Sequence, residues 1–362
     1  MTEVLIYLVT LACLLWAPTK ADKKIFCYYS SFAQSRQGMA RFLPEDINPQ
    51  LCTHVLFAFV DVSPDGRNLK PSNRNHISRG GKPGLYERTV ALKQRNPELK
   101  VLLAVGGWAQ GSKQFVPMMS SVENRQAWVR NVVRYLRKYG FDGLDMDWEF
   151  PGARGSPPED KQRFTKLMKE LQEAFRSEAQ ISGKDKLLLT LATAGGMYFI
   201  SKSYEPELLI PHVDYFLLMA YNYHGMWEKF TGHHSGLYPR ADEKDRDREL
   251  NQQWTIDFWL GKGARKEQII VGIATYSMTF TLRDPTQHGL MAPATGAGEG
   301  GKYTREPGVM AYYEICQNLR SGRWNRAWIA DQMSPYYYGD RQWGGYDDVE
   351  SVTYKACRKY HV

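Results

Sequence analysis

The ten residues Phe141–Phe150 read FDGLDMDWEF and place four carboxylates in a segment that is otherwise apolar enough to lie inside a protein. In a β-strand, alternate side chains face opposite sides. If residues 144–149 form a strand, Asp145, Asp147 and Glu149 point one way and the apolar residues between them point the other. Asp142 has the wrong parity to join this row, and we expect it to brace the start of the strand.

Short apolar runs recur along the chain, and helix-like stretches separate most of them. The seven runs are KIFCYY, HVLFAFV, KVLLAVGG, GLDMDW, LLLTLATA, YFLLMAYN and IIVGIATY. Between them lie stretches such as 123–140 and 159–179, in which apolar residues return every three or four positions. This alternation predicts a parallel sheet with both faces buried. We therefore predict an α/β fold, a TIM (β/α)8-type barrel, in residues 22–362.

The stretch from Tyr276 to Gly344 breaks this rhythm, because it is rich in Gly, Pro and Tyr, as in MAPATGAGEGGKYTREPG and SPYYYGDRQWGGYDD. It predicts a small α+β insertion subdomain, residues 276–344, after the seventh strand. Only a short helix-like tail, Ser351–Tyr360, follows the insertion. We therefore expect the barrel to lack its eighth strand.

Residues 1–21 read MTEVLIYLVTLACLLWAPTKA and contain one apolar run, Val4–Trp16. This run is short of the roughly 20 residues that cross a bilayer, which favours a signal peptide over a membrane anchor. We expect a secreted, extracellular protein with no membrane-spanning segment.

Composition and charge narrow the function classes. A chain with 43% hydrophobic and 24% charged residues is typical of a folded globule, not of a disordered segment. The 47 basic and 39 acidic residues are spread without long blocks, which favours a solvated basic surface over a nucleic-acid site. No CxxC spacing occurs, and His233 and His234 have no partners at ligand spacing. We expect a monomer that binds no nucleic acid, metal or cofactor.

Removal of residues 1–21 would take Cys13 and leave Cys27, Cys52, Cys316 and Cys357. An even number of cysteines in an exported protein favours disulfides, but counting does not separate the three connectivities. Pairing Cys27 with Cys52 would tie the first strand to the start of the second. Cys357 then either pairs with Cys316 or both are free.

The carboxylate row of FDGLDMDWEF would face the barrel interior near its carboxyl-terminal mouth, where barrel enzymes hold their catalytic groups. Three such groups repel one another and lose hydration, so at least one should keep a proton at neutral pH and the set should titrate together. That property suits general acid catalysis. The alternative is a row neutralised by basic neighbours for structural reasons, and the free-energy cost of unused buried charge disfavours it.

The segment FDGLDMDWEFP resembles the DGxDxDWE signature of family 18 glycoside hydrolases, the chitinases and chitinase-like lectins of animals. All eight positions of 142–149 match it. The resemblance continues through FCYYSSFAQSRQG, LCTHVLFAF, AVGGWAQGSKQF, MAYNYHGMWEKFTGH, APATG and MAYYEIC, and so covers nearly all of residues 24–352.

The resemblance implies catalytic roles for four residues. Glu149 is expected to donate a proton to the glycosidic oxygen, and Asp147 to hold the N-acetyl group of the substrate while that group attacks the anomeric carbon. Asp145 is expected to support Asp147, and Tyr221 to hydrogen-bond the acetamido oxygen. The implied reaction is substrate-assisted hydrolysis of chitin with retention.

The resemblance also implies a cleft that binds N-acetylglucosamine oligosaccharides, with aromatic rings stacking on the sugars. The expected substrate-binding residues are Tyr28, Phe59, Gly106, Gly107, Trp108, Phe150, Met219, Asn222, Trp227 and Tyr276. Phe32 matches a further cleft position. Phe32 and Phe59 are as well suited to the core as to the cleft.

The sequence departs from the family pattern at several places. Asn222 replaces an acid beside the catalytic row, which should shift the pH optimum. Ser277 and Met278 stand where the family has Gly and a substrate-binding Arg, Ala109 replaces Asn, and Phe150 lacks a hydroxyl. The family's eighth strand, which carries a Trp beneath the reacting sugar, has no counterpart here.

Two functions are therefore compatible with the sequence. The first is a secreted chitinase, whose activity the missing strand could impair. The second is a lectin that binds chitin oligosaccharides without hydrolysing them. Family lectins commonly lose the Glu or a neighbouring Asp of the row, and this chain keeps Asp145, Asp147 and Glu149, which favours the enzyme.

Overall fold

A curled sheet of seven parallel strands forms the body of the protein in the computed structural model, which describes residues 23–358. The parallel strands are β1 (Phe26–Ser30), β2 (His54–Val62), β4 (Lys100–Gly106), β5 (Gly143–Asp147), β6 (Leu188–Ala194), β7 (Tyr215–Met219) and β8 (Ile269–Val271). Their order in the sheet follows the chain, and each overlaps one of the seven predicted runs, although β1 and β2 extend one and two residues beyond theirs. The unpredicted strand β3 (Leu69–Pro71) pairs antiparallel with β2.

Helices cover the outer face of this sheet and connect its strands. The α-helices of the described residues are α1 (Leu85–Val90), α2 (Phe115–Met119), α3 (Val122–Tyr139), α4 (Asp160–Ser182), α5 (Met197–Ser203), α6 (Pro206–Leu209), α7 (Gln252–Gly261), α8 (Tyr312–Arg320) and α9 (Val349–Arg358), and short 3-10 helices lie in several of the loops. The bounds of α3 follow from its caps: the Ser121 side chain accepts a hydrogen bond from the Asn124 amide, and Gly140 ends the helix with a φ of 75°.

Two apolar cores hold the barrel together. The larger lies between the sheet and the helices and includes Leu103, Trp128 and Phe164. The smaller groups Leu56, Leu102 and Leu217 with the partly buried rings of Phe26 and Tyr215. Its members lie in the first half of their strands, so apolar side chains fill the amino-terminal part of the interior and leave the other end for polar groups.

The predicted TIM-barrel fold is confirmed, with seven parallel strands. Among residues 23–358, no strand joins β8 to β1, so the sheet is open between these two strands. Asp142 braces the start of β5 as predicted: its Oδ2 accepts a hydrogen bond from the Val101 amide at 2.7 Å, and Lys93 Nζ contacts its Oδ1 at 2.9 Å.

A separate antiparallel sheet follows β8 and forms the predicted small insertion. Its strands are β9 (Tyr276–Leu282), β10 (Ala294–Ala297), β11 (Val309–Ala311), β12 (Asn325–Ile329), β13 (Ser334–Gly339) and β14 (Gln342–Gly345). The order is β10-β9-β14-β13-β12, and β11 also pairs with β9. Helix α8 lies between β11 and β12 in the chain. Aromatic residues pack this unit, including the stacked rings of Trp324 and Tyr337.

A disulfide joins Cys27 of β1 to Cys52, just before β2, in agreement with the expected pairing. Cys316 and Cys357 are both free. The predicted signal peptide, residues 1–21, lies outside the described residues. None of the helices within 23–358 combines the length and the apolar composition needed to cross a membrane.

Candidate active site

The carboxylate row lies on β5, in the middle of the parallel sheet. Asp145 and Asp147 are buried, with 0 and 5% of their surface exposed. Leu144 and Met146, which alternate with them, pack in the core between sheet and helices. The predicted alternation is therefore present, although the strand ends at Asp147, two residues earlier than expected. Glu149 follows the strand and is partly exposed.

Asp145 is held by two hydroxyl groups. Tyr28 donates to its Oδ2 at 2.7 Å, and Thr190 donates to its Oδ1 at 2.6 Å. Tyr28 belongs to β1, which is not a neighbour of β5 in the sheet, so this contact crosses the barrel interior. Burial raises the pKa of Asp145 to about 6, against the opposing effect of the two donors.

Asp147 and Glu149 lie close enough to influence each other's protonation. Burial, and then the charges of Glu149 and Asp145, raise the pKa of Asp147 well above its usual value. Its Oδ1 is buried and has no hydrogen-bond partner among residues 23–358. Burial raises the pKa of Glu149 to about 7, although nearby Arg154 acts in the opposite direction. The row therefore retains protons at a pH where ordinary carboxyl groups are ionised.

Gly106 and Gly107, at the end of β4, allow the backbone to approach Asp147 closely. The Gly107 amide donates to the Asp147 carbonyl at 2.8 Å. Gly106 has a φ of 115°, and a Cβ added there would lie 2.1 Å from the same carbonyl oxygen. A Cβ on Gly107 would lie 2.8 Å from the ring of Phe59. These two glycines fix where the end of β5 lies.

Tyr221 and Tyr276 form one wall beside the row, with ring centroids 6.2 Å apart in an edge-to-face arrangement. Burial, and then the neighbouring tyrosine and the three carboxyl groups, raise the pKa of Tyr221 well above its usual value. The Tyr276 hydroxyl donates to Oδ1 of Asn222 at 2.9 Å. Asn222 is exposed, whereas Met219, at the end of β7, is partly buried against the core.

The expected cleft aromatics divide into exposed and buried rings. Trp108 and Trp227 are each 59% exposed and Tyr28 is 41% exposed. The Arg154 guanidinium lies 3.4 Å from the centroid of the Trp108 ring. Phe150, by contrast, is 4% exposed and packs against Phe199 at 4.5 Å between centroids.

Three residues of this region were not predicted from the sequence. Thr190 could have been found from its inward parity in the run LLLTLATA. Arg154 donates to the carbonyls of Trp108 at 3.2 Å and Glu149 at 2.9 Å from a loop with no recognisable motif. His234 lies 3.4 Å from Asn222, and only the fold brings these two residues together.

Comparisons with known proteins place this architecture among chitinases and chitinase-like proteins. Chitotriosidase-1 of Mus musculus is 43% identical over 92% of this chain and 69% of its own length. The structure of the immunomodulatory active chitinase from Trichuris suis matches with a TM-score of 0.88 and 33% identity, covering 94% of this chain and 89% of that one.

The matches also include a protein described as a pseudo-chitinase. The structure of human YKL-39, described as a pseudo-chitinase with retained chitooligosaccharide binding properties, has a TM-score of 0.87 and 34% identity, covering 93% of this chain and 89% of that chain. The chain also matches oviduct-specific glycoproteins, of which it spans less than two thirds, for example 60% of the bovine protein. Membership of the group therefore does not by itself establish hydrolysis.

The family model described as glycosyl hydrolases family 18 matches residues 24–361. That match includes the seven parallel strands, the carboxylate row and the antiparallel insertion. This chain belongs to glycosyl hydrolases family 18.

Proposed function

We propose that this chain is a secreted chitinase that hydrolyses the β-1,4 bonds between N-acetylglucosamine units. The observation that carries the proposal is the intact row of Asp145, Asp147 and Glu149, whose pKa values are all raised. A lectin would bind the same sugars without needing a group that donates a proton at neutral pH.

In the first step, Glu149 is the general acid. Its pKa of about 7 leaves it largely protonated in mildly acidic solution, so it can donate a proton to the glycosidic oxygen. The bond between the anomeric carbon and that oxygen breaks, and the acetamido oxygen of the same sugar bonds to the anomeric carbon. The product of this step is an oxazolinium ion, which makes the family an exception to the two-carboxylate scheme.

Asp147 and Tyr221 are the groups we propose to orient the acetamido group. The Asp147 Oδ1, which has no hydrogen-bond partner within the described part of the chain, is available to accept the acetamido N–H. Tyr221 is adjacent to the row and can donate its hydroxyl proton to the acetamido oxygen. Asp145 keeps its hydrogen bonds to Tyr28 and Thr190. It supports Asp147 because the two carboxyl groups titrate together, so that the charge on one affects the protonation of the other.

In the second step, a water molecule attacks the anomeric carbon and opens the oxazolinium ring. Ionised Glu149 accepts a proton from that water and so returns to its acid form. Two inversions at the anomeric carbon give net retention. The exposed rings of Trp108 and Trp227 supply stacking surfaces that hold the neighbouring sugars.

The second candidate function is an oligosaccharide-binding lectin. Met278, at the position of the family's substrate-binding Arg, is only 8% exposed and offers no charged group to a sugar. The structural matches include human YKL-39, described as a pseudo-chitinase with retained chitooligosaccharide binding properties, which supports this second candidate.

Fluorophore release from a chitobiose or chitotriose glycoside separates the two functions. We expect release by the full chain, and loss of at least about 100-fold in Glu149→Gln, because a positioned general acid contributes roughly 10²- to 10⁴-fold. The variant should still bind chitotriose, since the Gln amide has nearly the same size and shape as the carboxyl group and lacks only its acid function. Binding by the unaltered chain without any release would leave only the lectin.

A further inference from the structure

His234 is a fully buried histidine directly behind the cleft wall. It lies between β7 and α7, with 0% of its surface exposed. Its Nδ1 is 3.4 Å from Oδ1 of Asn222, and its ring centroid is 5.5 Å from that of Tyr276. A buried histidine that contacts two expected substrate-binding residues is placed to control where they lie.

Asn222 is exposed to the cleft, but its amide oxygen faces inward. That oxygen accepts the Tyr276 hydroxyl at 2.9 Å and faces the His234 ring nitrogen from another direction. The residue has a φ of 59°, a left-handed conformation that asparagine adopts more readily than most residues. Tyr276 and His234 therefore both contact the Asn222 amide oxygen. Together they determine which end of the Asn222 amide faces the cleft.

The insertion, residues 346–347 and α9 hold the segment around His234 in place, and Lys355 of α9 donates to the Ser235 carbonyl at 2.6 Å. The ring of His233 stacks near it, and Nε2 of His233 is 3.0 and 3.1 Å from the carbonyls of Pro335 and Tyr346. Ser235 donates to Asp347 at 2.9 Å. His234 therefore has little freedom to turn away from Asn222.

The same surroundings keep His234 uncharged. Burial, and then neighbouring His233 and Lys355, lower its pKa to about 3, although Asp347 and the Tyr276 backbone oppose them. A neutral imidazole has one N–H and one lone pair, so it can make one specific hydrogen bond at Nδ1 without adding charge to the wall. The wall that Tyr221 and Tyr276 form next to the carboxylate row is therefore positioned by hydrogen bonds between neutral groups, and His234 adds no positive charge to it.

We propose that His234 is a positioning residue for oligosaccharide recognition, acting through Asn222 and Tyr276. The inference rests on the proposed function, because it assumes that this cleft holds N-acetylglucosamine units. His234 makes no sugar contact of its own. It fixes the Asn222 amide so that its outward end meets the sugar in one orientation.

The test measures binding of chitotriose in a Glu149→Gln background, where no turnover occurs. His234→Leu removes the ring nitrogens at similar volume, and we expect about 10-fold weaker binding. His234→Asn places an amide where Nδ1 lies, and we expect affinity within about twofold of the parent. His76→Leu is the matched control, because His76 is also buried and is packed against Phe57 and Tyr86, away from the row.

A double-mutant cycle with Asn222→Ala decides whether the effect passes through Asn222. We expect His234→Leu to cause less than a twofold further loss once Asn222 is replaced. An additive cycle, or equal losses in His234→Leu, His234→Asn and His76→Leu, would overturn the inference. If His234→Leu does not fold, His234→Ala replaces it in the same double-mutant cycle with Asn222→Ala.

The inference and the proposed function fail in different ways. An unaltered chain that neither hydrolyses nor binds chitotriose contradicts both. An unaltered chain that hydrolyses chitotriose glycosides, combined with an additive cycle, contradicts only the positioning role.

Discussion

Two of the buried charged clusters in residues 23–358 are built on opposite principles: a row of carboxylates in the barrel and an ion pair next to α9. In the barrel, Asp145, Asp147 and Glu149 face one another, and their pKa values are raised. Between the insertion and α9, Asp347 forms a buried ion pair with Lys355. Burial alone would raise the pKa of Asp347, but the charges of Lys355 and His233 and the hydrogen bonds from Lys355 and Ser351 together outweigh burial, and the pKa is lowered.

The difference separates a structural charge from a functional one. Asp347 has every oxygen bound, since Ser351 donates to Oδ1 at 2.8 Å and Ser235 to Oδ2 at 2.9 Å. Asp147, by contrast, has one oxygen, Oδ1, to which the residues that the structure describes offer no hydrogen bond. A buried carboxylate with all its hydrogen bonds made serves the fold, whereas one left without a partner is available to a substrate.

The largest expected effect comes from breaking the ion pair. Lys355→Met leaves Asp347 buried without its cation, and we expect the free energy of unfolding to fall by about 3–5 kcal/mol. Urea denaturation at pH 7 measures this loss. Adding Asp347→Asn to the same chain should recover part of it, because the unpaired charge is gone. A loss below about 1 kcal/mol in Lys355→Met would mean that the pair does not stabilise the fold.

The next effect concerns catalysis in the barrel cluster. Thr190→Val removes the donor to Oδ1 of Asp145 and keeps the side-chain volume, so the pKa of Asp145 should rise further. We expect kcat to fall about 10-fold, because one lost hydrogen bond to a charged group is worth roughly 1.5–3 kcal/mol and only part of it acts in the transition state. Thr193→Val, on the same strand, is the control.

A smaller effect concerns what the barrel cluster contributes to the free energy of unfolding of the protein. The folded pKa of Glu149 is about 7, above its ordinary value of 4.5. Its contribution to stability is therefore present below pH 4.5 and is lost as pH rises through 7. We expect Glu149→Gln to increase the free energy of unfolding by about 1–2 kcal/mol at pH 7.5, a value reduced because the group is partly exposed, and to change nothing at pH 4.

Urea denaturation at the two pH values measures this difference. Lys355→Met should destabilise the protein at both, so the two clusters would respond to pH differently. Equal effects of Glu149→Gln at pH 4 and pH 7.5 would contradict a raised pKa.

The smallest effect is a shift in the pH profile. Hydrolysis should decline above pH 7, because ionised Glu149 cannot donate a proton. Asn222→Asp adds a negative charge beside Tyr276 and the row, which should raise the pKa of Glu149 and move this decline upward by about half a pH unit. Profiles of kcat/KM measured for both proteins test the shift, and coincident alkaline limbs would count against it.

The sequence was sufficient for features that depend on local pattern. The seven apolar runs marked the seven parallel strands, and residue parity separated Asp145 from Met146 on β5. The Gly- and Tyr-rich composition marked the insertion. Each of these follows from neighbouring residues, because burial of both faces and alternation along a strand leave a short-range signal.

Features that join distant residues were not predictable in this way. Thr190 and Asp145 are 45 positions apart, and His233 bonds to a carbonyl 113 positions away. The sequence did not predict that β5 ends at Asp147, because apolar Trp148 continues the alternation of polar and apolar residues beyond the last residue of the strand. Phe150 is largely buried, which the resemblance alone did not indicate.

The two glycines at the end of β4 limit how the cleft can be redesigned. A substitution at Gly106 would meet the Asp147 carbonyl in a conformation that other residues rarely adopt, so libraries that diversify sugar preference gain nothing there. Trp227 is largely exposed and lies in the loop after β7, so we expect its replacement to leave the strands undisturbed. Engineering for longer or shorter oligosaccharides should therefore begin at the aromatic rim and leave the glycine pair unchanged.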